Sequence, residues 1–597
     1  MSSSQPPSAP HLAAPDKNPS FTKGVFLGEI REDLVFPFPE LSPEEHESLS
    51  MILDSFRGYA AEKIDSAKFD HDGQFPDGVR QGLHELGLMG LSIPEAYGGF
   101  GAPARVYNRV FAEIGGTDPA LCVYFGAHQS IGCKGIVLFG TEAQKQKYLP
   151  RCASGELVAA FCLTEPGSGS DAQAMKTTAT LAADGTHYLL SGTKIWISNA
   201  GYADLLTVFA KVAVDAGGGK TKERVTAFIV DAHAPGVSLG KREEKMGIKA
   251  SDTRTIFFDK VKLPVDDRLG DVGQGFHIAL EVLNSGRLGL ASASARGTRH
   301  VMRLALGYAK QREQFGKPIA SFEMVQRKIA VAAVECYALD SAVMVAAGMV
   351  DRGGVDFSLE TAACKVFGSE LAYRAANDAL QIAGCIGYSK EFPYEQAVRD
   401  SRINLIFEGT NEILRALIAL MGMQEPGERL KSLGAAFKDP IHSLGAIGEY
   451  LASRAKRTIT KPHFTHVHES LEREADLVTT LVHDLALGVE AAVTRHGKGI
   501  LDKQFLQERM ANASIDIFLS TAVLSRTTWE IARAESAGAP APDGHIDCAK
   551  IFVPMAYRRA RRSIRGLRRN QDARLKSVAE RSIETGELGP EAPADER

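Results

Sequence analysis

The stretch Ile406-Phe407-Glu408-Gly409-Thr410-Asn411-Glu412-Ile413-Leu414 sets one carboxylate, Glu408, between a bulky apolar residue and a glycine. Ile403 and Leu405 make the approach apolar as well. Burial in such surroundings disfavours the charged carboxylate and raises its pKa toward neutrality. A glutamate tuned that way is a base suited to taking a proton from carbon. Gly409 lets the backbone come close to a ligand. On spacing alone the plainer reading leads: a loop glutamate ahead of a helix for which Thr410 or Asn411 is the N-cap.

A second group of chemically capable residues is Phe161-Cys-Leu-Thr-Glu-Pro-Gly-Ser-Gly-Ser-Asp171, an apolar strand running into a glycine-rich turn. Its glycines and hydroxyls could present N–H groups to phosphate. Gly167-x-Gly169-x-x-Ala172 fits the loose dinucleotide fingerprint, but no helix of the right pattern follows. An ordinary turn and a phosphate cradle stand level here. Lys194-Ile-Trp196-Ile-Ser198-Asn199 carries one of two tryptophans. Trp196 beside a hydroxyl could cover a flat ring, and a sandwich-core tryptophan fits equally well. Asp70-His-Asp72-Gly73 looks like the start of a calcium loop, yet its glycine is at the fourth position and Pro76 follows, so calcium carries little weight.

The elements that must position these groups change period along the chain. Ser42-Pro43-Glu-Glu signals a helix start, and residues 44–160 read as a helical domain. From 161 to 272 the segments Thr177–Leu181, His187–Leu190, Lys194–Ser198, Leu205–Val212, Val225–Val230 and Thr255–Phe258 are short and rich in β-branched and aromatic residues. Asp184-Gly185, Gly217-Gly218-Gly219 and Pro235-Gly236 separate them. From 273 to 424, Gly275–Leu290, Ala293–Arg312, Ser321–Val350 and Ser358–Ile382 show helical periodicity without internal proline. Short connections between long helices predict an antiparallel bundle. Gln424-Glu-Pro-Gly marks a boundary, 425–580 is a further helical region, and 581–597 is a polar tail.

The chain has 597 residues, 44% hydrophobic and 24% charged, and a net charge of −4. This is a globular balance with room for several cores, and the charge argues against nucleic-acid binding. Eight scattered cysteines without a CxxC pair argue for a reducing compartment and against disulfides or a zinc site. No run of 18 apolar residues predicts a membrane span. The first 20 residues are Ser/Pro/Ala-rich, contain no arginine, and read as a disordered arm within 1–43 rather than as a signal or mitochondrial presequence. A bacterial cytoplasmic location follows as the expectation.

Five ordered motifs sit on this helix–β–helix layout: Phe161-x-Leu-Thr-Glu-Pro-x-x-Gly-Ser-Asp, Trp196-Ile-Ser-Asn, Gln311-Arg312-x-Gln314-Phe315-Gly316, Gln381-Ile-x-Gly384 and Phe407-Glu-Gly-Thr-Asn-Glu. Together they resemble the acyl-CoA dehydrogenase family over about residues 45–422. Ser20-Phe21-x-x-Gly24-x-Phe26, Gly126-Ala-His-Gln-Ser-Ile-Gly132, Lys245-Met-Gly-Ile-Lys-Ala250 and the long C-terminal extension resemble its very-long-chain branch. The resemblance implies an N-terminal helical domain, a central β-sandwich or barrel, a second helical bundle and an extra C-terminal helical domain. It implies FAD held between the β domain and the second helical domain, and removal of two hydrogens from an acyl-CoA to give a trans-2-enoyl-CoA. Glu408 would take the α-proton while the β-hydride goes to flavin N5. The Glu408 N–H and a flavin hydroxyl would stabilise the developing enolate oxygen.

By the same resemblance, Phe161, Leu163, Thr164, Gly169 and Ser170 match flavin-ring and pyrophosphate contacts. Ser170 also matches a contact to CoA, and Trp196, Ile197 and Ser198 match the ring-covering segment. Arg312, Gln314 and Phe315 match residues that reach the neighbouring subunit's FAD. Gln381, Ile382, Ala383, Gly384 and Cys385 match another such segment, with Cys385 standing where many relatives have glycine. Thr410, Asn411 and Glu412 match contacts after the base, and Phe407 and Gly409 flank it on the substrate side. Asn284 and Arg287 resemble the CoA-binding helix, where Arg287 would meet a phosphate or stabilise the turn near the base; a buried structural ion pair is the alternative.

Residues 425–580 carry two basic stretches, His442–Lys456 and Tyr557–Asn570. A solvated helix face and attraction to anionic lipid headgroups are both open. The resemblance implies a homodimer peripherally bound to membrane, and electron transfer to an electron-transfer flavoprotein. An acyl-CoA oxidase and a respiratory-complex assembly protein are the rivals.

Overall fold

The computed structural model describes residues 18–76, 78–215, 217, 219–428, 431 and 461–589. Residues 1–17, most of the expected arm, and the basic segment His442–Lys456 lie outside them. The chain forms two compact units, one of residues up to Gly24 and Asp33–Glu408, the other of Val25–Glu32 and Gly409 onward.

In the first unit, helix Pro43–Lys63 begins with a capping box. The Ser42 hydroxyl accepts the Glu45 N–H at 3.2 Å, and the Glu45 carboxylate accepts the Ser42 N–H at 2.8 Å. Two donors that a helix start leaves unsatisfied are thereby paired. Phe56, Phe69, Leu83, Val110, Ile114, Tyr124 and Phe125 form the core of this helical region. The calcium-like Asp70–Gly73 closes the short helix Ser66–Asp72, with Gly73 as a left-handed cap. Asp70 is taken by Arg399 at 2.7 and 2.8 Å and by Lys249 at 3.3 Å.

The β region starts at β1 (Ala159–Cys162) and continues through β2 (Thr178–Leu181), β3 (His187–Ser198), β4 (Leu205–Asp215), β5 (Thr221–Asp231), β6 (Val237–Arg242), β7 (Thr253–Pro264) and β8 (Arg268–Leu269). The order is β6-β7-β3-β2-β4-β5-β8, with β1 pairing parallel to β4. Two differences from the expected strands have simple causes. The expected break between His187–Leu190 and Lys194–Ser198 is absorbed by irregular register against β7, so β3 is one strand. β6 is mostly exposed and polar, which hides a strand from an apolar-pattern reading.

Beyond the sheet, one helix of 37 residues, Gly275–Gln311, replaces the two expected; the intervening Ala291-Ser292 contains no helix breaker. Helices Glu323–Arg352, Ser358–Ala383 and Pro393–Arg402 complete this bundle. By length and composition alone, Glu323–Arg352 and, in the second unit, Glu469–Asp502 are long and apolar enough to cross a bilayer, although neither is an uninterrupted apolar run. In the first, 72% of the apolar window is buried inside the protein.

The second unit comprises helices Asn411–Gly422, Glu472–His496, Gln504–Ser536, Asp543–Gly566 and Asp572–Thr585. Thr410 caps the first, its hydroxyl accepting the Ile413 N–H at 3.3 Å. Gly422 is required there, because a Cβ would stand 2.6 Å from the Phe26 ring. Arg509 grips Asp572 through two bonds, and Arg559 pairs with Asp516 at 2.6 Å. The expected polar tail from 581 begins inside a helix that runs on to Thr585.

Candidate active site

Three segments of the first unit build the site. The helix Gly275–Gln311 carries the groups that fix Glu408. Arg287, almost fully buried, donates from Nη1 to Asn284 Oδ1 at 3.0 Å and from Nε to the Glu408 carbonyl at 3.3 Å. Arg287 therefore holds the main chain of the turn at Glu408. That turn needs holding: Glu408 has φ +59°, in the left-handed region that a non-glycine residue rarely adopts.

The Glu408 carboxylate lies against the helix at Gly286. A Cβ at that glycine would stand 2.8 Å from Oε2 and 3.0 Å from Cδ. Oε2 is buried and accepts no hydrogen bond from the protein. Burial pushes the Glu408 carboxyl up to about 7, against the opposing pull of Arg287 and Lys365. Burial likewise lowers Arg287 to about 10, with Glu408 working the other way. A carboxylate that is half ionised near neutrality and has an unused oxygen is equipped to accept a proton.

Glu408 and Phe407 line a cavity of about 250 Å³. One stripe of the long helix forms a wall, at Gly286, Leu290, Ala293, Ser294, Gly297, Thr298, Val301 and Leu304. Gly115, Gly126, Ala127 and Ser130 face it from the N-terminal helices, and Ser198 from the end of β3. Ile248, Gln396 and Asp400 also border it. Asp400 accepts the Ile248 N–H, and burial pushes its carboxyl up to about 7.

The third segment lies at the edge of the sheet. Phe161 on β1 packs on Phe209 with ring centres 5.0 Å apart. Glu165 and Ser168 exchange backbone bonds, closing the turn that presents Gly167, Gly169 and Ser170. Around both glycines the space a Cβ would occupy is open. The Glu165 carboxylate is buried and accepts Lys194 Nζ at 2.7 Å and the N–H groups of Lys176 and Thr177 at 2.5 and 3.0 Å. Lys194 Nζ also reaches the Leu163 carbonyl at 3.1 Å, and the Ile195 N–H reaches the Thr164 carbonyl at 2.9 Å. The two motifs are thus stitched into one platform. On it Trp196, at φ +60°, is lifted outward and 57% exposed, beside the partly exposed Leu163 and Thr164. An exposed indole bordered by hydroxyls and a glycine turn fits a flat, partly apolar ligand with an anionic tail.

The remaining sequence-derived residues lie away from the cavity lining. Arg312 ends the long helix, and Gln314 and Phe315 belong to a small hairpin in which Phe315, at φ +55°, is 93% exposed. Gln381, Ile382 and Ala383 end helix Ser358–Ala383; Gly384, at φ +65°, turns the chain into exposed Cys385. Ile197 is buried in the sheet core. Gly409, Thr410, Asn411 and Glu412 open the second unit, where Asn411 is buried and Glu412 exposed. Sequence reasoning did not assign Glu165, Lys194, Gly286 or Asp400. The first two lay inside the quoted motifs, but their pairing spans 29 residues and has no periodic signature. Among the described residues no cluster of metal-ligating side chains exists.

Comparison with known proteins agrees with this arrangement. Residues 45–156, 160–261 and 273–422 match the family models for the acyl-CoA dehydrogenase N-terminal, middle and C-terminal domains. Residues 452–588 match the ACAD9/ACADV C-terminal domain. The human mitochondrial very long-chain specific acyl-CoA dehydrogenase is 42% identical over 515 residues, 85% of this chain and 79% of that protein. Among solved structures, an acyl-CoA dehydrogenase from Bacillus anthracis complexed with FAD is similar at TM-score 0.76 and 30% identity, covering 96% of both chains. The butyryl-CoA dehydrogenase of Megasphaera elsdenii is similar at TM-score 0.59 and 35% identity, covering 63% of this chain and 97% of its own. Order of domains, extent of coverage and the cavity around Glu408 lead to one assignment: this chain belongs to the acyl-CoA dehydrogenase family.

Proposed function

We propose that this FAD-dependent acyl-CoA dehydrogenase acts on long, straight-chain acyl thioesters, with Glu408 as the base that removes the α-proton. The observation that carries the reading is the Glu408 carboxylate itself: its Oε2 buried without a partner, its carboxyl raised to about 7, on the lining of the cavity. Gly286 gives the carboxylate room, and Arg287 holds the main chain behind it. The Glu408 N–H is the chain's donor toward the thioester oxygen as charge develops there. The product is the trans-2-enoyl-CoA.

The platform of Phe161, Leu163, Thr164, Gly169, Ser170, Trp196 and Ser198 would hold FAD, Trp196 covering the ring and the glycine turn facing the pyrophosphate. The exposed indole and the open space at Gly167 and Gly169 support this. FAD, when bound, supplies the acceptor for the hydride leaving the β-carbon. The exposed hairpin of Gln314 and Phe315, with Arg312, and the Gln381–Cys385 turn would complete that site across a homodimer. Reoxidation by an electron-transfer flavoprotein follows from family membership.

A long-chain preference rests on the stripe from Gly286 to Leu304. The eighteen residue steps from Gly286 to Leu304 correspond to roughly 27 Å of wall. Small residues, Gly126 and Ala127, line the opposite side, and the absence of a Cβ at Gly126 lets the Phe111 ring pack against that helix. A bacterial cytoplasmic enzyme that touches anionic membrane through its C-terminal region completes the reading; Arg558, Arg562, Arg565 and Arg569 line one surface hollow there. Anaerobic titration of the purified yellow protein with C4 to C20 acyl-CoAs tests the function. Bleaching of the flavin that is strongest with the long thioesters is expected; no bleaching with any of them refutes it.

A further inference from the structure

Two hydroxyls in the cavity wall have nothing to bond to. Ser294 and Thr298 lie one turn apart on the long helix, both almost fully buried and both lining the cavity. Neither Ser294 Oγ nor Thr298 Oγ1 hydrogen bonds to any protein group. Their neighbour Ser292, on another side of the same helix, shows the usual arrangement: its hydroxyl reaches the Leu288 carbonyl at 3.0 Å and Asn108 Oδ1 at 3.2 Å. A buried hydroxyl left without a partner is costly, and an apolar side chain of similar size would serve a purely aliphatic ligand better.

The geometry points to a subsite for an oxygen carried on the substrate's tail, so that the preferred acyl chains include long-chain hydroxyacyl-CoAs. The inference rests on the acyl-CoA dehydrogenase reading above and refines its substrate class. Position follows from the helix. Gly286 marks the reacting carbons, since it touches the Glu408 carboxylate. Ser294 and Thr298 stand eight and twelve residues beyond it, about 12 and 18 Å along the axis. An extended alkyl chain with bonds of about 1.5 Å and near-tetrahedral angles advances about 1.25 Å per carbon. The two residues then stand level with about carbon 12 and about carbons 16 to 17 of a chain lying along this wall, and a turn about χ1 would bring each hydroxyl to it. The hydroxyl of the tail both donates and accepts, and each side-chain hydroxyl can rotate to complement it. The dehydrogenation at carbons 2 and 3 is unaltered; the tail oxygen takes no part in it.

The test uses the FAD-loaded full chain and the variant Ser294→Ala/Thr298→Val. 12-Hydroxyoctadecanoyl-CoA is compared with octadecanoyl-CoA, and 16-hydroxyhexadecanoyl-CoA with hexadecanoyl-CoA. The quantity read is the ratio of kcat/KM for hydroxy over plain thioester, together with the ratio of Kd values in a Glu408→Gln background, where binding is seen without turnover. For at least one pair both ratios move against the hydroxy substrate by roughly three- to tenfold in the variant, the size of one hydrogen bond. Plain thioesters bind the variant more tightly, because methylenes no longer cover unpartnered oxygens. A ratio that agrees within about twofold between wild type and variant for both pairs overturns the inference, leaving the hydroxyls to hold water only. Failure of octadecanoyl-CoA to bleach the wild-type flavin is a separate result, and it strikes the dehydrogenase reading instead.

Discussion

Two carboxylates drawn into this molecule differ in what surrounds them. Glu165 and Glu408 are both glutamates next to a proline- or glycine-containing turn, and both are drawn into the protein. Burial raises the Glu165 carboxyl, but the Lys176 N–H, Lys194 and Thr177 outweigh it, and the group ends below the ordinary carboxylate range. At Glu408 burial is met only by the more distant charges of Arg287 and Lys365, and the group ends at about 7. Depth alone therefore does not decide which way a carboxyl's pKa moves. The donors each oxygen receives do: both Glu165 oxygens are bonded, whereas the buried Glu408 Oε2 has no donor and stays in reserve.

Removing the reserve should produce the largest effect. Glu408→Gln is expected to lower the rate of flavin reduction by palmitoyl-CoA by roughly 10²- to 10⁴-fold while FAD and thioester still bind. Stopped-flow absorbance checks it; unimpaired bleaching would sink the assignment of the base. On the other side of the comparison, Glu165→Gln leaves Lys194 buried without its anion. A loss of about 3–5 kcal/mol in stability, read by denaturant unfolding of the flavin-loaded protein, is expected. Gly286→Ala pushes a methyl group into the slot of the Glu408 carboxylate. A fall of about 10- to 100-fold in kcat is expected from the misplaced base, with little change in FAD content. A variant as active as wild type would show that the carboxylate does not depend on this slot.

Acidity sharpens the contrast further, because the two groups respond with opposite sign. A base with a folded-state value of about 7 must lose its proton to work. The kcat/KM for a long acyl-CoA should fall about tenfold per pH unit below 7 and level off above it. The stability contribution runs the other way. A carboxyl raised by folding is most favourable below its ordinary value and loses that contribution as pH climbs through about 7. Glu165, held low, contributes above the ordinary carboxylate range and loses its contribution as pH falls through its folded value. The smallest effect belongs to Thr410→Ala, which removes a helix cap and should cost about 1 kcal/mol, visible as a small drop in melting temperature.

Much of this was legible before any coordinates. The apolar flanks of Glu408 announced a raised pKa, and the change of period near residue 160 announced the sheet. Thr410 is the helix cap that the plainer reading of this segment expected, and Glu408, two residues earlier, lines the cavity. What stayed hidden shares one property: it depends on chain segments meeting across long separations. Lys194 finds Glu165, Asp400 finds Ile248 from 152 residues away, and Gly286 is a helix-interior glycine until Glu408 is placed against it. No local spacing encodes such meetings. The single helix Gly275–Gln311 joins the two expected segments across glycines and small residues that weaken the local pattern. Packing overrides that weakness, since Gly286 and Gly289 bring Glu408 and Phe111 close to the helix.

Ile248 carries a last consequence. A β-branched residue at φ +45° is a sprung backbone, dearer than its relaxed form by about 1–3 kcal/mol. The Asp400 carboxyl accepts the Ile248 N–H, and Ser251 bonds the Ile248 carbonyl from the other side at 2.9 Å. Both ends of this device border the chamber where a fatty tail would lie. The shape of that stretch of wall is thus set by a side chain 152 residues away and not by the preference of its own backbone.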